Sequence, residues 1–217
     1  MNMMNKIRST LAVAMTTVAT VAAAVLIAVS AAPAHAAVQV SKIQAMLAKP
    51  AVMCGRFDQT KTLAGMKKPL ASNGRFCVVA GKGVLWRTLK PFPSTLRLTR
   101  DEIVNYQGDR VAMRLDAKTE PTVRMINNVL FSLLSGDLAQ LESLFEVDGA
   151  VDASSWNVSL KAKQAALEKA IGTIKLDGGA YVKNIVMSEA SGDRTAIVFS
   201  EIKAGDSALT AEEAALF

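Results

Sequence analysis

Two cysteines, Cys54 and Cys77, are the residues of this chain whose type and spacing most directly suggest chemistry. They lie in residues 52–98, where apolar and polar residues alternate in runs broken by Gly, Pro and Asn, a pattern typical of consecutive antiparallel strands. A turn near residues 65–68 would place Cys54 opposite Cys77, with both sulfurs on the polar face of the hairpin. In an oxidising compartment this register predicts a disulfide that stabilises the fold by about 3 kcal/mol.

Two alternatives to that disulfide are considered. The first is a pair of free thiols, because a strand register set by pattern alone slips easily. The second is a catalytic thiol pair, and the sequence argues against it because the two cysteines do not have C-x-x-C spacing.

The first 36 residues have the pattern of a secretory signal peptide. Lys6 and Arg8 precede an apolar run over residues 11–32, and Ala34 and Ala36 supply the small residues that a signal peptidase recognises. We therefore expect cleavage after Ala36 and a single exported, soluble domain. The apolar run is long enough to span a bilayer, so an uncleaved membrane anchor is the alternative.

The exported domain, residues 37–217, is moderately basic. Removing 36 of the 217 residues leaves 181, and the loss of Lys6 and Arg8 lowers the formal net charge from +6 to +4. The positive residues lack the blocks and interleaved aromatic residues of a nucleic-acid-binding surface, so we expect no nucleic-acid partner. Attraction to anionic headgroups or acidic partners is one use for such a charge, and a merely solvated surface is the other.

Catalytic and cofactor sites are not indicated by the remaining residues. The single histidine, His35, lies in the signal segment, so the exported domain has no histidine base or ligand. Carboxylates such as Asp101 and Asp148 fall in predicted turns, and not in pairs on one face. Residues 81–83 are not followed by the helix that a phosphate-binding loop requires. We therefore predict no enzyme activity, no metal and no cofactor.

The other elements follow from the same periodicities. Residues 41–48 predict a short helix ended by Pro50, and residues 119–145 predict two linked amphipathic helices, followed by turn-rich residues 148–155. Thr210 and Glu213 predict a capping box at the start of a last helix. A hairpin is expected at 96–106, single strands at 111–115, 156–160 and 173–176, a further helix at 161–171, and a second hairpin from strands at 181–188 and 195–202.

This inventory predicts a mainly β (α+β) fold with eight or nine antiparallel strands. There are too few helices to cover both faces of such a sheet. A curved antiparallel sheet that forms an incomplete β-barrel, closed by an α-helical lid over residues 123–145, satisfies the pattern.

Several short motifs stand in order along the exported domain. They are Phe57-x-Gln59-x-Lys61, Gly74-x-Phe76, Gly83-x-x-Trp86 with Pro91 five residues on, Trp156-x-Val158-x-Leu160, and a Gly192-Asp193 hairpin ending in Phe199. With the signal peptide and the helical insertion, they resemble the LolA-like carriers of the bacterial periplasm. The resemblance implies a periplasmic carrier that holds the acyl chains of lipoproteins while they cross from the inner to the outer membrane. It also implies an inner-membrane donor protein and an outer-membrane acceptor protein, and we expect the carrier to be a monomer.

Such a carrier needs only a dry apolar cavity, because each buried methylene contributes about 0.8 kcal/mol. The lid is expected to pack on the sheet when the carrier is empty, since cargo must also be released. The expected cavity residues are Phe57, Phe76, Trp86, Ile126, Val129, Leu130, Leu133 and Leu134. Ordinary core packing is the alternative role for each of them.

The turn after the second strand departs from the family pattern. The family's lipoprotein carriers usually have a basic residue followed by proline there, where this chain has Ala80-Gly81-Lys82-Gly83. Lys82 is therefore the candidate for contact with a headgroup or a partner, and another acyl lipid is an alternative cargo. An envelope sensor or protein-interaction domain on the same scaffold is the alternative function.

Overall fold

The computed structural model describes residues 40–120, 123–124, 127–129, 131 and 139–217. The strands are β1 Val52–Thr62, β2 Leu70–Val79, β3 Gly83–Lys90, β4 Ser94–Leu98, β5 Glu102–Gln107, β6 Arg110–Asp116, β7 Phe145–Val151, β8 Trp156–Ala162, β9 Thr173–Gly178, β10 Val182–Ser188 and β11 Arg194–Ala204. The helices are α1 Val40–Met46, α2 Ala139–Leu144, α3 Ala165–Ile171 and α4 Ala211–Ala214, with a 3₁₀ turn at Asp206–Ala208. The described residues at 123–124, 127–129 and 131 are also helical.

All these strands belong to one antiparallel sheet in the order β6-β5-β4-β3-β2-β1-β11-β10-β9-β8-β7. Each strand from β1 to β5 pairs with the next along the chain, as the short connections predict. β1 also pairs with β11, which brings the first and last strands together in the middle of the sheet. The sheet is open, with β6 and β7 as its edges among the described strands.

The β1–β2 hairpin has the register expected from its sequence. Cys54 lies directly opposite Cys77, and the two form a disulfide. The prediction of the pairing is confirmed. The alternation along β1 and β2 gives the sheet two faces, which we name the inner face, carrying Phe57 and Phe76, and the outer face, carrying the disulfide.

The inner face carries most of the hydrophobic core. One cluster joins buried residues of β1, β2 and β11 to those of β7–β10, and it includes α1 and α2 on top of the sheet. A second cluster lies over β3–β6, where Val84, Leu98 and Ile103 pack with Val123 of the helical residues. Short helices, and not a second sheet, therefore cover the inner face.

The outer face at β1–β3 is covered by the C-terminal residues. Both cysteines are 1% exposed and form a small cluster with Leu85 and Ala208, against which Leu216 packs. The sequence placed the sulfurs on the polar face of the hairpin and did not predict this apolar covering. Arg56 and Asp58 do share that face and are exposed, but residues 205–217 fold back over the disulfide.

The largest difference from the sequence interpretation is β7. Phe145, expected at the end of a helix, is the first residue of this strand, and Asp148, expected in a turn, lies within it. Asp and Gly favour turns in isolation, but pairing with β8 along the whole strand determines the outcome here. The hairpin expected at 96–106 is formed by β4 and β5. With β7, the sheet has eleven strands where eight or nine were expected.

The smaller helices agree with the sequence to within a few residues. α1 begins at Val40, one residue before the expected start, and ends four residues before Pro50. The helix expected to start at residue 161 begins at Ala165, because β8 continues to Ala162, and Gly172 ends it as predicted with a positive φ of 70°. The capping box of Thr210 and Glu213 is confirmed. Among the described residues no helix has the length and hydrophobicity needed to cross a membrane.

Candidate functional site

Four aromatic rings meet on the inner face, one from each of the neighbouring strands β11, β1, β2 and β3. Phe57 stacks on Trp86 with ring centroids 3.8 Å apart and an interplanar angle of 24°. Phe76 meets Phe199 edge-on at 4.9 Å, and Trp86 meets Phe199 edge-on at 6.0 Å. We name Phe57, Phe76, Trp86 and Phe199 the aromatic cluster.

Two glycines make room for these rings. Gly55 lies opposite Phe76 and Gly74 lies opposite Phe57 across the β1–β2 ladder. A Cβ at either glycine would lie 2.8 Å from the ring across from it, closer than real contacts allow. The rings therefore lie flat over glycine backbone, an arrangement that also compensates for the missing glycine side chains.

Side chains of the described helical residues pack above the aromatic cluster. Ile43 and Leu47, in and just after α1, Leu141 of α2 and Val129 of the helical residues belong to the same cluster as Phe57 and Phe76. A cavity of about 10 Å³, the space of about one water molecule, lies over β7 and β8 and is lined by Val40, Leu141, Val147, Val158 and Leu160. An acyl chain that binds among these described side chains must displace some of them.

The helical residues over β3–β6 are anchored by side-chain hydrogen bonds. The Asn127 side-chain amide donates to the Thr99 carbonyl, which follows β4, at 2.9 Å, and Asn127 is 1% exposed. The Arg124 guanidinium donates to the Ala117 carbonyl at 3.0 Å, at the base of the same segment. These contacts fix the start of the segment, and Val123 and Val129 supply its apolar contacts with the sheet.

The structure brings four of the expected cavity residues together. Phe57, Phe76 and Val129 are buried in one cluster, and Trp86 packs against it while partly exposed. The other four, Ile126, Leu130, Leu133 and Leu134, lie outside the described residues. Lys82 is exposed in the turn between β2 and β3.

Sequence reasoning missed several residues of this interior. Ile43 and Leu47 lie in the helix expected at residues 41–48 but were not assigned to the interior, and Phe199 was noted only as the end of a motif. The signal that could have found them is their helical spacing directly before β1, since a short helix must bury its one apolar side against the nearest sheet.

Charged groups are buried on the outer face instead. Glu213 is 1% exposed, and it accepts hydrogen bonds from Arg75 at 2.7 and 3.2 Å. Burial raises the pKa of Glu213, but the hydrogen bonds from Arg75 and Thr210 outweigh burial and hold it below its usual value of 4.5. The Glu213 carboxylate also lies close to Cys54 and Cys77, but their sulfurs are joined as a disulfide and are not free to bind a metal.

Comparison with known families gives one match, which covers residues 48–212 and is described as outer membrane lipoprotein carrier protein LolA. The chain belongs to the LolA family. The match includes all of β1–β11, so the aromatic cluster lies within the part of the chain that matches the family, and the expected resemblance is confirmed. A comparison with curated proteins finds no match.

Solved structures with a similar arrangement are all distant in sequence. The LolA superfamily protein NE2245 from Nitrosomonas europaea is 9% identical, with a TM-score of 0.44, covering 77% of this chain and 92% of its own. A putative outer membrane lipoprotein-sorting domain from Vibrio parahaemolyticus is 9% identical, with a TM-score of 0.40, covering 79% and 92%. The complex of MucA and MucB from Pseudomonas aeruginosa matches at 12% identity and a TM-score of 0.40, covering 80% of this chain and 62% of that one.

Proposed function

We propose that this protein is a periplasmic carrier that holds acyl chains of lipoproteins, or of related lipids, between the inner face of its sheet and the helices above it. The observation that carries the proposal is the composition of that interior, in which aromatic and aliphatic side chains pack together. Among the described residues away from the outer face, the buried polar ones are Thr195 and Asn127. Membership of a lipoprotein-carrier family supports the same reading.

The free energy of cargo binding depends on the contacts that the described interior residues already make with each other. An acyl chain of ordinary length is worth about 10 kcal/mol when it leaves water, at about 0.8 kcal/mol per methylene. In the closed state the same surfaces are already buried against Ile43, Val129 and Leu141. Loading therefore replaces one set of apolar contacts with another, and the difference is small enough for the cargo to be released.

The covering elements are the parts that would move. α1 is seven residues long and α2 is six, and each joins the core through one side only. The sheet beneath them is tied by hydrogen-bonded ladders on both sides of β1, and the ladder with β11 has one irregularity between Cys54 and Arg56. We assign the cavity to Phe57, Phe76, Trp86 and Val129 on the evidence of their shared cluster, and to Ile126, Leu130, Leu133 and Leu134 on the sequence alone.

Exchange with membranes requires partners at both ends of the route. We propose an inner-membrane donor protein and an outer-membrane acceptor protein, with exposed Lys82 as a contact for a headgroup or for one of these proteins. The expectation of a cleaved signal peptide, residues 1–36, lies outside the described residues and stays a prediction, as does the absence of enzyme activity.

Native mass spectrometry of the protein secreted from its full-length gene tests the carrier function. We expect one population at the mass of residues 37–217 and a second that is heavier by one acylated molecule. Phe76→Ala should reduce the heavier population, because it removes a ring from the proposed cavity. Leu85→Ala is the matched control, since Leu85 is equally buried on the outer face of the neighbouring strand.

A protein-interaction role on the same scaffold is the second candidate, and the packing of Ile43, Val129 and Leu141 in one cluster with the aromatic residues favours it. In that case no acylated molecule should be retained by the wild-type protein, and Phe76→Ala and Leu85→Ala should behave alike. A mass showing that residues 1–36 are retained would also favour this role, because an interaction domain gains from a membrane tether.

A further inference from the structure

A groove of about 510 Å³ lies on the outer face, away from the aromatic cluster. It is bounded by the β3–β4 hairpin, by the β5–β6 turn and by the C-terminal helix α4. Its size is that of a small-molecule binding site. The residues that line it are Arg87, Thr88, Leu89, Pro93, Ser94, Thr95, Tyr106, Gly108, Asp109, Glu212 and Leu216.

Three polar side chains cross the floor of the groove in one row. Arg87 lies directly opposite Thr95 on β4, and Thr95 lies directly opposite Tyr106 on β5. Residues in register on adjacent antiparallel strands point to the same face with about 5 Å between them. A guanidinium and two hydroxyl groups are therefore placed side by side on rigid strands.

Arg87 uses less of its hydrogen-bonding capacity than the neighbouring arginine on β2. Its neighbour Arg75 donates three hydrogen bonds, to Glu213 and to the Ala208 carbonyl. Among the described residues Arg87 makes only a long ion pair, with Nη1 3.8 Å from the Glu213 Oε1. Its side chain is 33% exposed, so its N–H groups are available to a ligand in the groove.

The rim of the groove carries the opposite charge. Asp109 and Glu212 are both exposed and line it, and Arg87 is the one cation among the lining residues. A multiply charged anion would be repelled by these two carboxylates. A ligand that joins a single negative charge to a positive amine would satisfy both the floor and the rim.

The groove also has an apolar border that is open to solvent. Leu89, which lines it, is 51% exposed, and Phe92, in the adjoining hairpin loop, is 82% exposed. Exposed apolar residues beside a charged site are typical of a contact with the interfacial region of a bilayer.

We propose that this groove binds the zwitterionic headgroup of a phospholipid, an aminoalkyl phosphodiester such as phosphoethanolamine. Arg87 donates to the phosphodiester oxygens, the hydroxyls of Thr95 and Tyr106 complete the phosphate contacts, and Asp109 and Glu212 accept the ammonium group. Leu89 and Phe92 face the acyl region of the same leaflet. The site is on the opposite face from the proposed acyl-chain interior and does not rest on the proposed function.

Calorimetric titration of the exported domain with glycerophosphoethanolamine and with glycerophosphoglycerol tests this proposal. The two probes share the phosphodiester, but only the first has an ammonium group, so the first should bind at least about threefold more tightly. Flotation with vesicles of phosphatidylethanolamine and phosphatidylglycerol, against phosphatidylglycerol alone, separates binding of a free headgroup from binding at a bilayer. Binding to vesicles but not to free headgroups would assign the site to the bilayer. Binding to free headgroups and to vesicles, each with a preference for the form that carries the ammonium group, would assign it to the headgroup itself.

Variants locate the site. Arg87→Gln should weaken binding of glycerophosphoethanolamine by about tenfold or more, the effect of about 1.4 kcal/mol. Asp109→Asn together with Glu212→Gln should abolish the preference between the two probes while leaving the phosphodiester bound. Arg194→Gln, at an exposed arginine outside the groove, is the control for net charge.

Thr95→Val is a second test of the groove, because Arg87→Gln also removes the ion pair between Arg87 and Glu213. It removes one hydroxyl from the floor and should also weaken binding. Equal binding of both probes by the wild-type protein, unchanged binding in Arg87→Gln, or binding of an acidic peptide with no binding of either headgroup would each overturn the proposal.

Discussion

The residue that is most unusual in its surroundings is Glu213, a carboxylate buried on the outer face. Arg75 meets it with two donors, the Thr210 backbone N–H donates to it at 3.0 Å, and Arg87 approaches it. Removing the Glu213 carboxylate leaves the guanidinium of Arg75 without its charged partner. The resulting loss of folding free energy is larger than the net contribution of the intact pair. Glu213 therefore holds the C-terminal residues over the disulfide.

Glu213→Gln should lower the free energy of unfolding by about 2 kcal/mol at neutral pH. The folded-state pKa of Glu213 is below its ordinary value, so its contribution is fully present above the unfolded-state pKa of about 4.5 and is lost as the pH falls through the lower folded-state value. Urea unfolding from pH 7 down to pH 3 should show the difference between wild type and variant shrinking below about pH 4.5.

The exposed neighbour on the same helix supplies the control for that experiment. Glu212→Gln should change the free energy of unfolding by no more than about 0.5 kcal/mol. A difference between wild type and Glu213→Gln that grows as the pH falls would contradict the assigned direction of the pKa.

Gly74 tests the packing of the aromatic cluster at the same scale. A Cβ there would overlap the Arg87 carbonyl oxygen and lie 2.8 Å from the Phe57 ring. Gly74→Ala should therefore lower the free energy of unfolding by about 2 kcal/mol or more and change the fluorescence of Trp86, which stacks on Phe57. Gly65→Ala, with open space around its Cβ but a φ of 82°, should show only the strain of about 1 kcal/mol and no change in fluorescence.

At the scale of elements, the proposed carrier function requires some parts of the structure to move when cargo binds. α1 and the helical residues at 127–129 cover the interior, whereas β1 and β2 are fixed by ladders and by the disulfide. When cargo replaces the apolar contacts of the covering elements, the backbone amides of those elements should be less protected from hydrogen exchange. The protection of the amides in the sheet should not change.

Hydrogen exchange measured by mass spectrometry should detect this division. Addition of palmitic acid should accelerate exchange in residues 40–47 and around Val129, and leave exchange in β1 and β2 as it was. Uniform slowing of exchange over all of these segments would indicate a ligand that binds without displacing the covering helices.

Elements with a clear period were predictable from the sequence, and the reasons are physical. The β1–β2 register follows from local alternation and a short turn, and the capping box follows from two residues three apart. β7 was not predictable in the same way, because its Asp148 and Gly149 favour a turn until β8 is present to pair with them. The pairing of β1 with β11 connects residues more than a hundred positions apart, which no local pattern encodes.

The interior was only partly predictable for a related reason. Phe57, Phe76 and Trp86 could be assigned to one face because a strand alternates strictly. Which helix covers that face depends on the path of the chain, so the contribution of Ile43 was missed and that of Val129 was found. The covering of the disulfide by Leu216 and its neighbours depends on the return of the chain end to the sheet, which the alternation of β1 and β2 does not reveal.

At the scale of the whole molecule, the proposed carrier function requires that one apolar interior has two alternative fillings, the protein's own helices or an acyl chain. Each filling buries the aromatic cluster. A substitution that weakens only the closed, empty filling should therefore strengthen binding, whereas a substitution in a plain core should weaken everything that depends on the fold.

Palmitic acid affinity in Val129→Ala is the measurement that tests this claim most directly. Trp156→Phe serves as the background, because it leaves Trp86 as the single tryptophan reporting from the aromatic cluster. Loss of the buried Val129 contacts should destabilise the empty protein by about 1–2 kcal/mol and tighten palmitic acid binding by up to about tenfold. Binding that is weaker than, or equal to, that of the background protein, together with the same loss of stability, would contradict the account and leave Val129 an ordinary core residue.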